Sequence, residues 1–97
     1  MIKNINIYEL KKLMLDKDLL IIDTREYWEY NKKRICGAIN IELDKVEDIL
    51  KVCSNKNKKI LVYCTKGARS IVFAERLDAL GYSEIYNLVE GIEKILK

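Results

Sequence analysis

Two short apolar runs, "LLII" (residues 19–22) and "ILVY" (residues 60–63), constrain the fold of this chain most. Neither alternates apolar with polar residues. A strand that is greasy at every position is covered on both faces, the condition found in parallel sheets flanked by helices. The intervening segments repeat at helical spacing. Asn6 and Glu9 form a capping-box pattern ahead of Ile7, Leu10, Leu13 and Met14. The aromatic, charged stretch "TREYWEYNKK" predicts a short helix. In "ELDKVEDILKV", Leu43, Val46, Ile49 and Leu50 fall on one face; in "SIVFAERLDAL", Ile71, Ala74, Leu77 and Leu80 do, and Gly81 is placed to end that helix. "AINI" (38–41) and "EIYNLV" (84–89) read as further strands, and "IEKILK" as a closing helical turn.

Strands alternating with helices predict an α/β fold: a mainly parallel central sheet of about five strands, with helices on both faces through right-handed crossovers. The 97 residues suffice for one domain, taken as 1–97, and no proline, repeat or low-complexity linker divides them. Ligands of open parallel sheets bind beyond the carboxyl ends of the strands. Residues 23–26, 64–69 and 90–91 should therefore converge.

Composition narrows the chemistry. No histidine is present, which removes histidine-based triads and most zinc sites; no metal or cofactor is expected. Three cysteines without a CxxC pair fit a reducing, cytoplasmic setting better than a disulfide framework. No apolar run approaches the ~20 residues that span a membrane. The formal charge of +3 is spread along the chain, and the cluster Lys56, Lys58, Lys59 reads as the solvated rim of the polar loop "SNKNKK". Neither a nucleic acid nor a membrane is an expected partner; a small anion is.

The segment "VYCTKGARS" (62–70) carries the reactive features. Cys64 stands at the first loop position past the central strand. A cysteine acts as a nucleophile only as its thiolate. The helix starting near Ala68–Ser70 turns free N–H groups and its positive end toward the loop. Gly67 lets the backbone curl into a nest of amides. Lys66 and Arg69 are expected to add positive charge at the rim. The alternative is an inert cysteine capping a core strand, the commoner state of this residue.

"CTKGARS" resembles the active-site loop C-x-x-G-x-R-S of rhodanese-type sulfurtransferases. "IIDTREYWEYNKKRICGAINIEL" is similar to that family's D-x-R-E…W-E-[YF]…H-I-P-G-A-I-N-I-P segment, and "LVEGI" to its L-x-G-G. The resemblance spans about residues 18–92. It implies a sulfurtransferase that takes a sulfane sulfur from a small anionic donor such as thiosulfate onto Cys64 as a persulfide. The sulfur then passes to a thiophilic acceptor, which could be a protein. By the same resemblance the amides of Thr65, Lys66, Gly67, Ala68, Arg69 and Ser70 wrap the sulfur. Arg25 reaches the pocket rim or pairs with a carboxylate. Asp23 is read as the cap of the next helix.

Arg34 and Cys36 stand where the family usually has histidine and proline, and Glu90 replaces the first glycine of the late pair. Cys36 reads as a small packed hydrophobe rather than a thiol that resolves the persulfide, and Cys53 as a bystander. Tyr27, Trp28 and Tyr30 read as packing of the short helix over the sheet rather than a ligand-stacking platform. Two other activities compete with the leading one: a sulfur-relay or redox-sensing module acting on a protein partner, and a phosphatase or arsenate reductase of the same fold. The latter have C-x5-R loops, one residue longer than Cys64–Arg69 here.

Overall fold

The computed structural model describes residues 1–93 and residue 95. Of the closing turn expected over residues 92–97, residues 94, 96 and 97 lie outside the described residues. The order of elements is β1 (Ile2–Ile5), α1 (Ile7–Leu13), β2 (Leu20–Asp23), α2 (Tyr27–Lys32), β3 (Ile39–Asn40), a 3-10 helix (Leu43–Asp48), α3 (Ile49–Val52), β4 (Lys59–Tyr63), α4 (Ala68–Ala79) and β5 (Glu84–Leu88). The five strands make one sheet in the order β1-β5-β4-β2-β3, and every pair is parallel.

The two apolar runs account for the middle of the sheet. β4 is flanked by β5 and β2, and Ile60 through Tyr63 are fully buried. Its side chains alternate between two cores. Ile60 and Val62 join Phe73, Ala74 and Leu77 of α4 with Val46 and Ile49; Leu61 and Tyr63 join Leu10 of α1, Ile35 and Leu88 on the other face. Each such side chain contributes roughly 1.5–3 kcal/mol by leaving water. From β2 the chain runs outward to β3, then returns to β4 on the opposite side. That reversal opens a crevice beyond the carboxyl ends of β2 and β4.

α1 starts with the expected capping box: the Glu9 amide donates to Asn6 Oδ1 at 2.9 Å and the Asn6 amide to Glu9 Oε1 at 3.0 Å. Gly81 ends α4 with φ +96. The inward face of α4 is Ser70, Phe73, Ala74 and Leu77, while Ile71 and Leu80 are only half-buried at its flanks. Leu50 does not face the core; it is 45% exposed. Residues 43–48 wind as a 3-10 helix with period three, so Val46 and Ile49 point inward, and the following α turn delivers Cys53 rather than Leu50.

β1 has no counterpart among the expected strands. "IKNI" is too short and mixed to stand out, and its partner β5 lies at the far end of the chain, with Ile2 opposite Ile85. Tyr27 and Trp28 are 61% and 64% exposed, and α2 buries none of its residues, so the packing expected of them belongs only to Tyr30. Tyr30 lies against the second core and donates its hydroxyl to the Ala38 carbonyl at 2.7 Å. α2 is held by its ends, by Tyr30 and by Glu29, not by its other rings. Trp28→Ala should therefore shift unfolding free energy by no more than about 0.5 kcal/mol in a denaturant titration. A loss of about 2 kcal/mol or more would put the indole back in the core. No helix among the described residues is long and apolar enough to cross a membrane.

Candidate active site

The sheet brings the expected segments together at one end. β4 ends at Tyr63 and the chain turns at Cys64, whose side chain is 1% exposed. Burial alone would mark an inert thiol. The surrounding backbone indicates otherwise, because amides converge on the sulfur. The Gly67 amide donates to Sγ at 3.0 Å and the Ser70 amide at 3.4 Å. Ser70 Oγ lies 3.5 Å from Sγ and donates to the Gly67 carbonyl at 3.3 Å, a proton it can turn toward a thiolate. Burial pushes the Cys64 thiol up, but the Ser70 hydroxyl and the amides of Ser70, Arg69 and Gly67 outweigh it, so the thiol lies below the ordinary cysteine value. The wrapping is narrower than expected: the amides of Thr65, Lys66 and Ala68 make no hydrogen bond to the sulfur.

Gly67 adopts φ +95 at the N-cap of α4, the left-handed geometry that folds the loop under the sulfur. The turn after β5 backs that loop. A Cβ on Gly67 would lie 2.2 Å from the Val89 carbonyl oxygen, and one on Gly91 2.1 Å from that of Thr65. The Ile92 amide donates to the Cys64 carbonyl at 3.0 Å and the Glu93 amide to that of Thr65 at 3.1 Å. Two backbones are thus in contact, and glycine is required on both. Glu90, in place of the family's usual glycine, is exposed beside this clamp.

The rim differs from expectation in its charge. Lys66 is exposed and has no ion-pair partner among the described residues. Arg69 instead forks onto Glu29 of α2, with Nη1–Oε1 at 2.7 Å and Nη2–Oε2 at 3.1 Å, and Nη2 also donates to Thr65 Oγ1 at 3.3 Å. The Arg69 fork holds the Glu29 carboxyl below its usual range, and Glu29 raises Arg69 in return. Arg69 therefore supplies the sulfur pocket with an amide but little uncompensated charge. Sequence reasoning missed Glu29, although it is the glutamate of the quoted "WEY" motif; a half-buried arginine on a reactive loop is a signal to look for its carboxylate.

Arg25 pairs with a carboxylate. It is 7% exposed, and its Nη2 and Nε meet the fully buried Asp23 at 2.7 and 3.0 Å. Burial opposes the Arg25 charge, but Asp23 more than restores it. Tyr63 donates its hydroxyl to Asp23 Oδ2 at 2.8 Å, and burial pushes its own ionisation up. Asp23 is accordingly not the cap of α2; Glu26 occupies that position, its amide donating to Glu29 Oε1 at 3.1 Å. The Asp23 side chain is drawn inward because Arg25, two residues on, folds back over it. Cys36, expected to be packed, is exposed on the turn before Gly37, whereas Cys53 is buried.

The opening above the sulfur is a hollow of about 300 Å3 lined by Glu29, Cys64, Thr65, Lys66, Ala68 and Arg69. It can admit a small group to a stabilised thiolate whose other sides are sealed.

Residues 6–97 match the model of the family described as Rhodanese-like domain. A thiosulfate sulfurtransferase GlpE of Coxiella burnetii is 31% identical over 93 residues, covering 96% of this chain and 86% of that protein. A tRNA uridine(34) hydroxylase of Streptococcus pneumoniae is 34% identical over 89 residues, which cover 87% of this chain but 27% of that protein. The crystal structure of a rhodanese-like domain protein from Staphylococcus aureus superposes with a TM-score of 0.83 at 32% identity, over 98% of this chain and 96% of that one. Relatives with different named activities thus match this chain over most of its length, and the chain belongs to the rhodanese-like domain family.

Proposed function

We propose that this protein is a sulfurtransferase that carries a sulfane sulfur on Cys64. The observation that carries the reading is the sulfur itself, buried at the end of the central strand with the Gly67 amide at 3.0 Å and the Ser70 amide at 3.4 Å. Amides so placed stabilise negative charge on sulfur before and after transfer. The Cys64 thiolate attacks the outer sulfur of a donor such as thiosulfate. The Sγ–S bond forms as the donor S–S bond breaks, and sulfite leaves with the electron pair. An acceptor thiolate, free or on a protein, then attacks the outer sulfur of the persulfide, and Cys64 leaves as the thiolate it began as. This is covalent catalysis through an activated nucleophile. Phosphoryl chemistry fits less well, since a transferred phosphoryl group needs the loop arginine as its clamp and Arg69 is already forked onto Glu29.

Intact-mass spectrometry after incubation with a sulfane-sulfur donor tests the reading. Wild-type protein should gain one sulfur atom that cyanide removes, and Cys64→Ser should gain none. Sulfur retained on the Cys64→Ser variant would place the chemistry on Cys36 or Cys53 and end the proposal.

A further inference from the structure

Resting on the sulfurtransferase reading, we infer that Glu29 sets the class of donor: by forking onto Arg69 it withholds that charge from the pocket, so the site favours sulfur carried on an organic thiol over the thiosulfate dianion.

The charges around the hollow lead to this. Its lining holds two cations, Lys66 and Arg69, against the Glu29 carboxylate and the Cys64 thiolate. They cancel. A dianion approaching an anionic nucleophile needs a surplus of positive charge, and the bidentate pair removes half of what the loop sequence supplies. Lys66 alone remains uncompensated among the described lining residues. A hydropersulfide attacked in its protonated, neutral S–SH form meets no such barrier at the sulfur. Its transfer balances as R–S–SH plus the Cys64 thiolate giving Cys64–S–SH and R–S⁻. The outer sulfur keeps its proton, and the departing thiolate takes the electron pair of the broken S–S bond.

A second feature provides room for the organic body. A groove of about 350 Å3 shares Thr65 and Glu29 with the hollow over the sulfur; Trp28 and Ile92 also line it, with Arg25, Lys32 and Lys33 against Glu93. Trp28 is left unpacked by the fold, with an exposed ring beside the reactive loop and its Nε1 held by Glu26 at 2.9 Å. An apolar wall and a cation next to a sulfur site suit a thiol whose carrier has both an apolar stretch and a carboxylate.

The test compares thiosulfate with glutathione hydropersulfide as donors, with cyanide as the common acceptor, for wild type, Glu29→Gln, Glu29→Asp, Lys66→Ala and Trp28→Ala. Wild type should show the higher kcat/KM with glutathione hydropersulfide. Glu29→Gln frees Arg69 and should lower the KM for thiosulfate about fivefold, the scale of a partly exposed charge interaction, with a smaller change in kcat. Glu29→Asp, which keeps the carboxylate, should return toward wild type, an outcome that a merely structural role for Glu29 does not produce. Trp28→Ala should raise the KM for glutathione hydropersulfide more than that for thiosulfate. A thiosulfate KM unmoved or raised in Glu29→Gln, or a wild type that prefers thiosulfate, overturns the inference. Should Glu29→Gln melt below the assay temperature, Lys66→Ala decides: its side chain is exposed, its thiosulfate KM should rise, and an unchanged value overturns the inference. If wild-type Cys64 gains sulfur from neither donor, the sulfurtransferase reading falls first and this inference with it. Sulfur gained without the KM shifts overturns the inference alone.

Discussion

Gly67→Ala should remove both the reactive sulfur and much of the stability of the molecule. Its φ of +95 lies where a side chain is strained, and the new Cβ would sit 2.2 Å from the Val89 carbonyl oxygen. The obstacle is backbone, which cannot rotate away as the tip of a side chain would. Left-handed strain together with overpacking comes to roughly 3 kcal/mol. For a chain of this length that lowers the melting temperature by more than about 10 °C. Whatever relief the loop finds must move the amide that now reaches Cys64 Sγ at 3.0 Å, so persulfide formation should fall with stability. Gly37→Ala is the matched control: φ there is +86, yet nothing lies within 4 Å of the added carbon. It should cost only the backbone term, about 1 kcal/mol. Equal melting temperatures for the two variants, with Cys64 still taking up sulfur in Gly67→Ala, would show that the loop does not depend on this close approach.

Asp23→Ala is expected to be the most destabilising exchange outside the loop. It would leave the Arg25 guanidinium, 7% exposed, without its carboxylate and strip the Tyr63 hydroxyl of its acceptor. Breaking a buried pair from one side costs about 3–5 kcal/mol, because the remaining charge stays desolvated. Tyr63→Phe removes one hydrogen bond of the same network and should cost about 1–1.5 kcal/mol. Chemical denaturation of both variants checks the ordering. If Asp23→Ala lost no more than Tyr63→Phe, Arg25 would have found water or another acceptor, and the network would not be what fixes the end of β2.

Much of this architecture was legible in the sequence where local pattern and global position agree. The runs at 19–22 and 60–63 are central strands because nothing polar interrupts them. Asn6 and Glu9 form the expected box because a cap is a property of four consecutive residues. Cys64 and Gly67 are where a strand, a turn and a helix start must place them. Most of the misreadings arise from contacts made or missing between residues distant in the chain, and Leu50 from local winding. β1 exists because β5 offers it an edge; Leu50 is exposed because the preceding turn winds with period three; Trp28 is exposed because no element among the described residues buries α2. Arg69 was legible as a cation on the loop, but its neutralisation depends on a glutamate 40 residues away. Asp23 reads as a cap until Arg25, two residues on, folds over it and Tyr63, 40 residues on, donates to it.

The backing of the Cys64 loop by the chain beyond β5 makes the shape of that loop a late property of folding. β5 joins β4 on one side and β1 on the other, so it docks only after both of these strands and α4 have been made. Until Gly91 and Ile92 press against Thr65 and Cys64, the nest of amides lacks the backbone that backs it from beyond β5. If Cys64 carries the proposed chemistry, its sulfur acquires its full set of amide partners only as the last strand docks.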